Sequence, residues 1–302
     1  MYKDFNEMVK AVKQRKRGTV IIAAAQTESV LDAAILAKRE NLADSLLVGD
    51  KPAILALLEQ LAPEYRDSFE IIDTGSDLQK AAAVSVQLVH EQRGNLILKG
   101  KTETATLLRA VLDKEKGLRV AEVISDVLAY EHPDGLKIMS DGGINLNPEL
   151  SELIAIIKNA VWVAQGMGCP NPKVALLSAI ETVNPKLPST VNAAILTQMS
   201  KRKQITGCEI EGPLAFDLAV DPEAARIKGI SSPVAGNADV MIVPNIEAGN
   251  IFGKIVSLYC GYRVAHFVVG TKVPILIPSR ADTGENKMLC MAMALSCMPE
   301  EK

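Results

Sequence analysis

The sequence predicts an α/β protein built on mostly parallel sheets, and three observations carry that reading. Short apolar runs alternate with helical patterns along most of the chain. The runs are near-continuous in Val, Ile, Leu and Ala, as expected of strands covered on both faces. Aromatic residues make up only 4% while hydrophobic residues reach 48%, so aliphatic side chains must fill the cores. At 302 residues there is enough chain for two domains.

Thr19 to Ala25 reads as the first strand, and Glu28 to Lys38 as a helix with Val30, Leu31, Ala34 and Ile35 on one side. Ser45 to Gly49 is the next strand and Pro52 to Leu61 the next helix. Phe69 to Asp73 is a strand, Ser76 to Gln92 a long Ala-rich helix, Leu96 to Lys99 a strand and Thr102 to Leu112 a helix. The pattern changes after Gly117. Val120 to Tyr130 and Gly135 to Ser140 flank His132-Pro-Asp-Gly135, a turn by residue type, which reads as a strand pair near a domain junction. Alternation then resumes with a helix from Pro148 to Gln165, a strand from Val174 to Ser178 and a helix from Thr190 to Lys201. Ile205 to Ile210 and Val240 to Pro244 are strands, and Gly249 to Leu258 a helix. Val264 to Val269 and Pro274 to Ile277 are the last strands, before an apolar helix from Glu285 to Met298.

A net charge of −3 without a basic block argues against nucleic-acid binding. An anionic substrate must then be held by a local site. The five cysteines are odd in number and form no C-x-x-C pair, which predicts a reduced, cytoplasmic chain. The charged start, Met1 to Gly18, resembles neither a signal peptide nor an anchor, and no apolar run approaches the roughly 18 residues of a membrane span.

Ile275 to Glu285 is the most informative stretch. A strand ends at Pro278, Ser279 and Arg280 follow at once, and a helix begins soon after. A hydroxyl, a guanidinium and free N–H groups at a helix start suit an anion and charge developing on a reacting oxygen. Asp282 and Glu285 have capping-box spacing and could simply start that helix. That role leaves Arg280 unexplained, since a cation near a positive helix end is unfavourable without an anion. Lys99, at a strand end before Gly100, and Thr104 belong to a similar strand–turn–helix unit. Ser178 and Glu181 follow another strand, where open α/β sheets bind ligands. Asn250 lies with Asn245 and Glu247 in a loop that could cradle an arm of a coenzyme or cap a helix. Gly142 and Gly143 permit close backbone approach to a ligand, and Asn145 or Asn147 could cap the helix after Pro148. Spacing alone gives Arg109 no role. No metal motif, phosphate-binding P-loop or dinucleotide fingerprint is present, and the three histidines read as structural.

Lys99-Gly-Lys-Thr-Glu-Thr104 with Leu108-Arg-Ala-Val111, Glu181-Thr-Val-Asn-Pro-Lys186, and Ser279-Arg-Ala-Asp-Thr-Gly-Glu-Asn-Lys287 together resemble the phosphate acetyl/butyryltransferase family, and within it the butyryl type. The resemblance implies reversible acyl transfer between coenzyme A and inorganic phosphate, with acyl-CoA as substrate and no bound cofactor. It implies two three-layer α/β/α domains with an active-site cleft between them, an architecture of the isocitrate/isopropylmalate dehydrogenase kind. The expected domains are 1–127 with 268–302, and 128–267. Homo-oligomers are expected, without nucleic-acid or membrane partners. Ser279 and Arg280 would be catalytic, and Arg109 a second phosphate-side cation. Lys99, Thr104, Ser178, Glu181 and Asn250 would contact substrate. Acetyl-type members carry an Asp seven residues after the loop serine, where this chain has Asn286; Glu285 or Asp282 would replace it as base. The alternatives are an acetyltransferase, a metal- and NAD-dependent decarboxylating dehydrogenase, and a non-catalytic CoA-binding protein.

Overall fold

A computed structural model describes residues 1–299. Its first half builds a parallel sheet. Strands β1 (Gly18–Ala23), β2 (Ala43–Gly49) and β3 (Glu70–Asp73) lie side by side in that order, and β4 (Leu96–Lys99) pairs with the other edge of β1. Between and around them run α1 (Phe5–Val12), α2 (Glu28–Arg39), α3 (Lys51–Leu61), α4 (Leu78–His90) and α5 (Thr104–Val111). Because α4 carries the chain back across β2 and β1 to reach β4, right-handed crossovers put α4 and α5 on the face opposite α2. Local chemistry sets the helix starts. Asp50 accepts the Ala53 N–H at 3.0 Å ahead of α3, and Asp77 accepts those of Gln79 and Lys80 ahead of α4. Helix α1 is absent from the sequence-based assignment because its charges mask the pattern; Phe5, Met8 and Val12 nevertheless form a buried stripe.

The central part of the chain builds a second run of strands. A hairpin of β5 (Ser125–His132) and β6 (Gly135–Ser140) is followed by β7 (Lys173–Leu177), β8 (Glu209–Leu214) and β9 (Val240–Ile242), in the order β5-β6-β9-β7-β8. Only the hairpin is antiparallel. The helices are α6 (Leu150–Gly166), α7 (Pro188–Lys201), α8 (Phe216–Val220), α9 (Pro222–Ile227) and α10 (Ile246–Lys254), the last continued by a π-helical turn through Tyr259. Glu149 and Glu152 cap α6 reciprocally; the expected caps Asn145 and Asn147 do not. Asn145 instead donates to Ile124 O and to the Asp141 carboxylate. Strand β8 starts four residues later than expected and runs through Gly212-Pro213, a pair that ordinarily interrupts a strand. It is tolerated because β8 lies at the sheet edge, where proline's missing N–H removes no ladder bond.

The chain then returns to the strands of its first half. Strand β11 (Ile275–Leu276) is parallel to β4 and antiparallel to β10 (Val264–Val269), and α11 (Gly284–Ser296) packs on α2. Contacts divide the molecule into one unit of Met1–Phe5 with Val123–Val264, and another of Asn6–Glu122 with the segment from Ala265 onward. The first five residues go with the central unit, because Met1 and Tyr2 donate to the carbonyls of Gly168 and Met167 at 3.0 Å.

Candidate active site

In the unit that holds β1 and β4, the chain leaves β1 towards β2 and leaves β4 on the opposite face. The carboxyl ends of these two neighbours form the switch point at which open α/β sheets take ligands. A pocket of about 450 Å³ lies there. Thr27 and Ser29 at the start of α2 line one side, the turn from Lys99 to Glu103 another, and Ser279, Arg280 and Lys287 the third. The turn can come this close only because residue 100 is glycine; a Cβ there would run into the carbonyl oxygens of Ala23 and Ala24.

The charges in this pocket are unevenly paired. Lys99 is 5% exposed, and its ammonium makes one long hydrogen bond, 3.5 Å to Thr102 O. Burial lowers its pKa, and the nearby charges of Arg280 and Lys287 lower it further against the opposing pull of Glu103 and Asp282. Lys287 is 2% exposed, and burial lowers its pKa too. Arg280 is exposed, with Nη2 2.9 Å from Glu103 Oε1.

The loop after β11 is a closed turn. Asp282 donates its N–H to Ser279 O at 3.2 Å, and its carboxylate accepts the Ser279 N–H at 2.7 Å. Lys287 donates to the carbonyls of both Ser279 and Asp282. Thr283, not Asp282, caps α11 by accepting the Asn286 N–H at 3.2 Å. The expected capping box is therefore replaced: the Asp282 side chain ties the turn and leaves the helix start to Thr283. Lys99, Lys101, Arg280 and Lys287 around a hydroxyl at strand ends make a receptor for a compact, multiply charged anion.

Residues 64–295 match the family described as phosphate acetyl/butaryl transferase. The chain belongs to that family. It is 42% identical over 296 residues to a phosphate butyryltransferase of Clostridium acetobutylicum, covering 97% of this chain and 98% of that one. It is 38% identical over 292 residues to a phosphate acetyltransferase of Thermotoga maritima, covering 96% and 98%. Among solved structures, a branched-chain phosphotransacylase from Enterococcus faecalis superposes with a TM-score of 0.81 at 32% identity, over 92% of this chain and 98% of that one.

Of the residues expected in a transferase site, the pocket gathers Lys99, Ser279 and Arg280. Thr104 and Arg109 are exposed on α5 and Glu285 on the first turn of α11; none of the three lines it. Ser178, Glu181 and Asn250 belong to the other unit. There Ser178 Oγ lies 2.8 Å from Ser189 Oγ. Glu181 accepts from Lys228 at 3.0 Å, and this bond holds its carboxyl below the usual range. Asn250 donates to Gly142 O at 3.3 Å. The close approach expected between Gly142 and a ligand is made instead to Gly249 of α10.

That second unit has its own pocket, of about 460 Å³, at the carboxyl ends of β7 and β9. Leu176, Leu187, Leu196 and Ile242 line it with the amides of Asn147 and Asn192, and none of its lining residues is charged. Sequence reasoning missed this pocket and Lys287. A signal for Lys287 was present: from residue 287 to 298 it is the one ionised side chain in an otherwise apolar helix. Among the described residues no cluster of His, Cys, Asp and Glu could hold a metal, and no helix is long and apolar enough to cross a membrane.

Proposed function

We propose that this protein is a phosphate acyltransferase of the butyryl type, moving a short-chain acyl group reversibly between coenzyme A and inorganic phosphate. The cationic pocket at the ends of β1, β4 and β11 carries this reading. A phosphate oxygen attacks the thioester carbonyl, an O–C bond forms, the C–S bond breaks, and CoA leaves while acyl phosphate stays. Arg280 holds phosphoryl oxygens through paired N–H donors, Lys99 supplies a buried charge, and Ser279 donates to the phosphate or the thioester oxygen. Arg280 can turn to a phosphate because its bond to Glu103 joins two exposed side chains, a pairing worth only about 0–1 kcal/mol.

In the reverse direction the CoA thiol, with a pKa of about 8.5, must lose its proton. Glu285 is the proposed base, with Asp282, whose carboxylate accepts the Ser279 N–H, the second candidate. Thr104 and Arg109 follow the pocket's turn on α5 and are the proposed outer phosphate contacts. Ser178, Glu181 and Asn250 are the proposed substrate contacts of the second unit, the latter two exchanging their bonds to Lys228 and Gly142 for it. The 42% identity to a phosphate butyryltransferase supports butyryl over acetyl.

Five free cysteines support a cytoplasmic setting. A homo-oligomer is supported by the apolar stripe of Ile251, Ile255, Leu258 and Tyr259, the last 91% exposed; light scattering reads its mass. The deciding experiment follows CoA release with a thiol reagent across acetyl-, butyryl- and branched acyl-CoAs, with and without phosphate. Phosphate-dependent release, fastest with a four-carbon acyl group, is expected. No release with any of them would overturn the reading.

A further inference from the structure

We infer that Lys287 is a positioning residue: its buried ammonium draws the carbonyls of Ser279 and Asp282 inward and so aims the hydroxyl and guanidinium of that turn at a bound phosphate. The inference rests on the proposed phosphate site and extends it to a residue that need not touch the reacting atoms.

The geometry is specific. Lys287 sits one turn into α11, four residues after the cap Thr283, with its side chain running back beneath the loop. At 2% exposure it is one of two ammonium groups in the pocket wall almost closed to solvent. Its two hydrogen bonds go to carbonyl oxygens, and it has no carboxylate partner within salt-bridge distance among the described residues. An apolar residue would fill that space without the desolvation cost of a charge.

The two carbonyls explain why a charge is useful there. The turn has oxygen acceptors at Ser279 and Asp282, and a phosphate meeting either one would be repelled. Bonding both to one cation neutralises their partial charge and leaves the donors of the turn facing the ligand. Asp282 ties the turn from its other side through the Ser279 N–H.

Lys287 also acts on Lys99 through its charge. The charged groups around Lys99 are Arg280, Lys287, Glu103 and Asp282, and around Lys287 are Asp282 and the Cys290 thiol. Removing the Lys287 charge therefore raises the pKa of Lys99, a change that a purely space-filling residue would not produce.

The experiment compares Lys287→Met and Lys287→Arg with the parent enzyme. Far-UV circular dichroism and thermal melts confirm folding. Lys287→Met is expected to weaken phosphate binding about tenfold or more, in KM for phosphate and in calorimetry with inorganic phosphate alone. Its KM for acyl-CoA should change less than threefold. The alkaline limb of phosphate affinity should move to higher pH, and Lys287→Arg should recover most of the loss. Equal phosphate affinity in a folded Lys287→Met would overturn the inference. So would equal losses for both substrates. If Lys287→Met does not fold, Lys287→Arg decides: phosphate affinity far below the parent's sinks a role that any cation could fill. Failure of the transferase reading looks different: the parent itself releases no CoA, while calorimetry still reports whether Lys287 orders an anion site.

Discussion

Arg280 Nη2 donates to Glu103 Oε1 at 2.9 Å, joining the loop after β11 to the residue that precedes α5. Both side chains are about 70% exposed, so the pair is weak enough for a phosphate to displace. Arg280→Ala is expected to lower kcat/KM for phosphate by about a hundredfold, comparable to losing a strong oxyanion donor. A near-normal rate in steady-state assays would remove Arg280 from the machinery.

Glu103 competes with phosphate for the same guanidinium. Glu103→Gln should lower KM for phosphate by roughly twofold to fivefold, the scale of an exposed ion pair. Phosphate titrations at low ionic strength give the largest difference. An increase in KM would show that Glu103 orients Arg280 and does not restrain it.

Lys99 carries a pKa lowered by burial and by Arg280 and Lys287, so its charge is lost at lower pH than that of an ordinary lysine. Phosphate affinity should accordingly decline on the alkaline side before the usual lysine range of about 10.4 is reached. In Lys99→Arg, which stays charged, that decline should shrink, leaving the part owed to Lys287. KM for phosphate measured from pH 7 to 10 in both proteins settles it.

Asp141 is 3% exposed, and its pKa is raised to about 6, chiefly by burial and then by Asp126. The native state therefore holds a proton that the unfolded chain releases above its own, lower pKa. Stability from this group is full below the unfolded value of 3.8 and is lost as pH rises through about 6. Relative to Asp141→Asn, the parent should lose on the order of 3 kcal/mol across that window. Urea unfolding of both proteins at pH 4, 5, 6 and 7 reads the difference; parallel curves would contradict it.

Cys260 is exposed, Cys208 and Cys297 have thiols pushed up to about 11 and about 12 by burial, and Cys290 is also buried. One thiol should react rapidly with a disulfide reagent in the native protein, and five after denaturation. Cys260 lines neither pocket, so the alkylated enzyme should keep its activity. Inactivation on alkylation would point to an acyl-enzyme formed on the Cys260 thiol.

Strands β4, β6 and β10 have the bounds expected of their apolar runs, because each is punctuated by turn residues on both sides. Strand β8 does not, since the edge position that lets it contain Pro213 is a property of the assembled sheet. The same division holds at the site. Lys99 and the Ser279-Arg280 pair stand out because one closes a strand and the other follows one, and neighbouring parallel strands deliver the residues at their carboxyl ends to one place. Glu181 and Asn250 stand out by the same reasoning, and nothing in the sequence signals the protein groups they bond. Their partners, Lys228 and Gly142, are 47 and 108 residues away in the chain, beyond any spacing rule. Likewise the glycine pair after β6 reads as a ligand cradle until α10 is seen against it.

The crowding at residue 100 bears on how this enzyme could be re-engineered. A saturation library across the β4–α5 turn should separate sharply by position: residue 101, open to solvent, accepting most side chains, and residue 100 accepting none without prising β4 from β1. Attempts to enlarge or recharge the anion receptor should therefore leave that turn's path untouched and vary the side chains at either end of it.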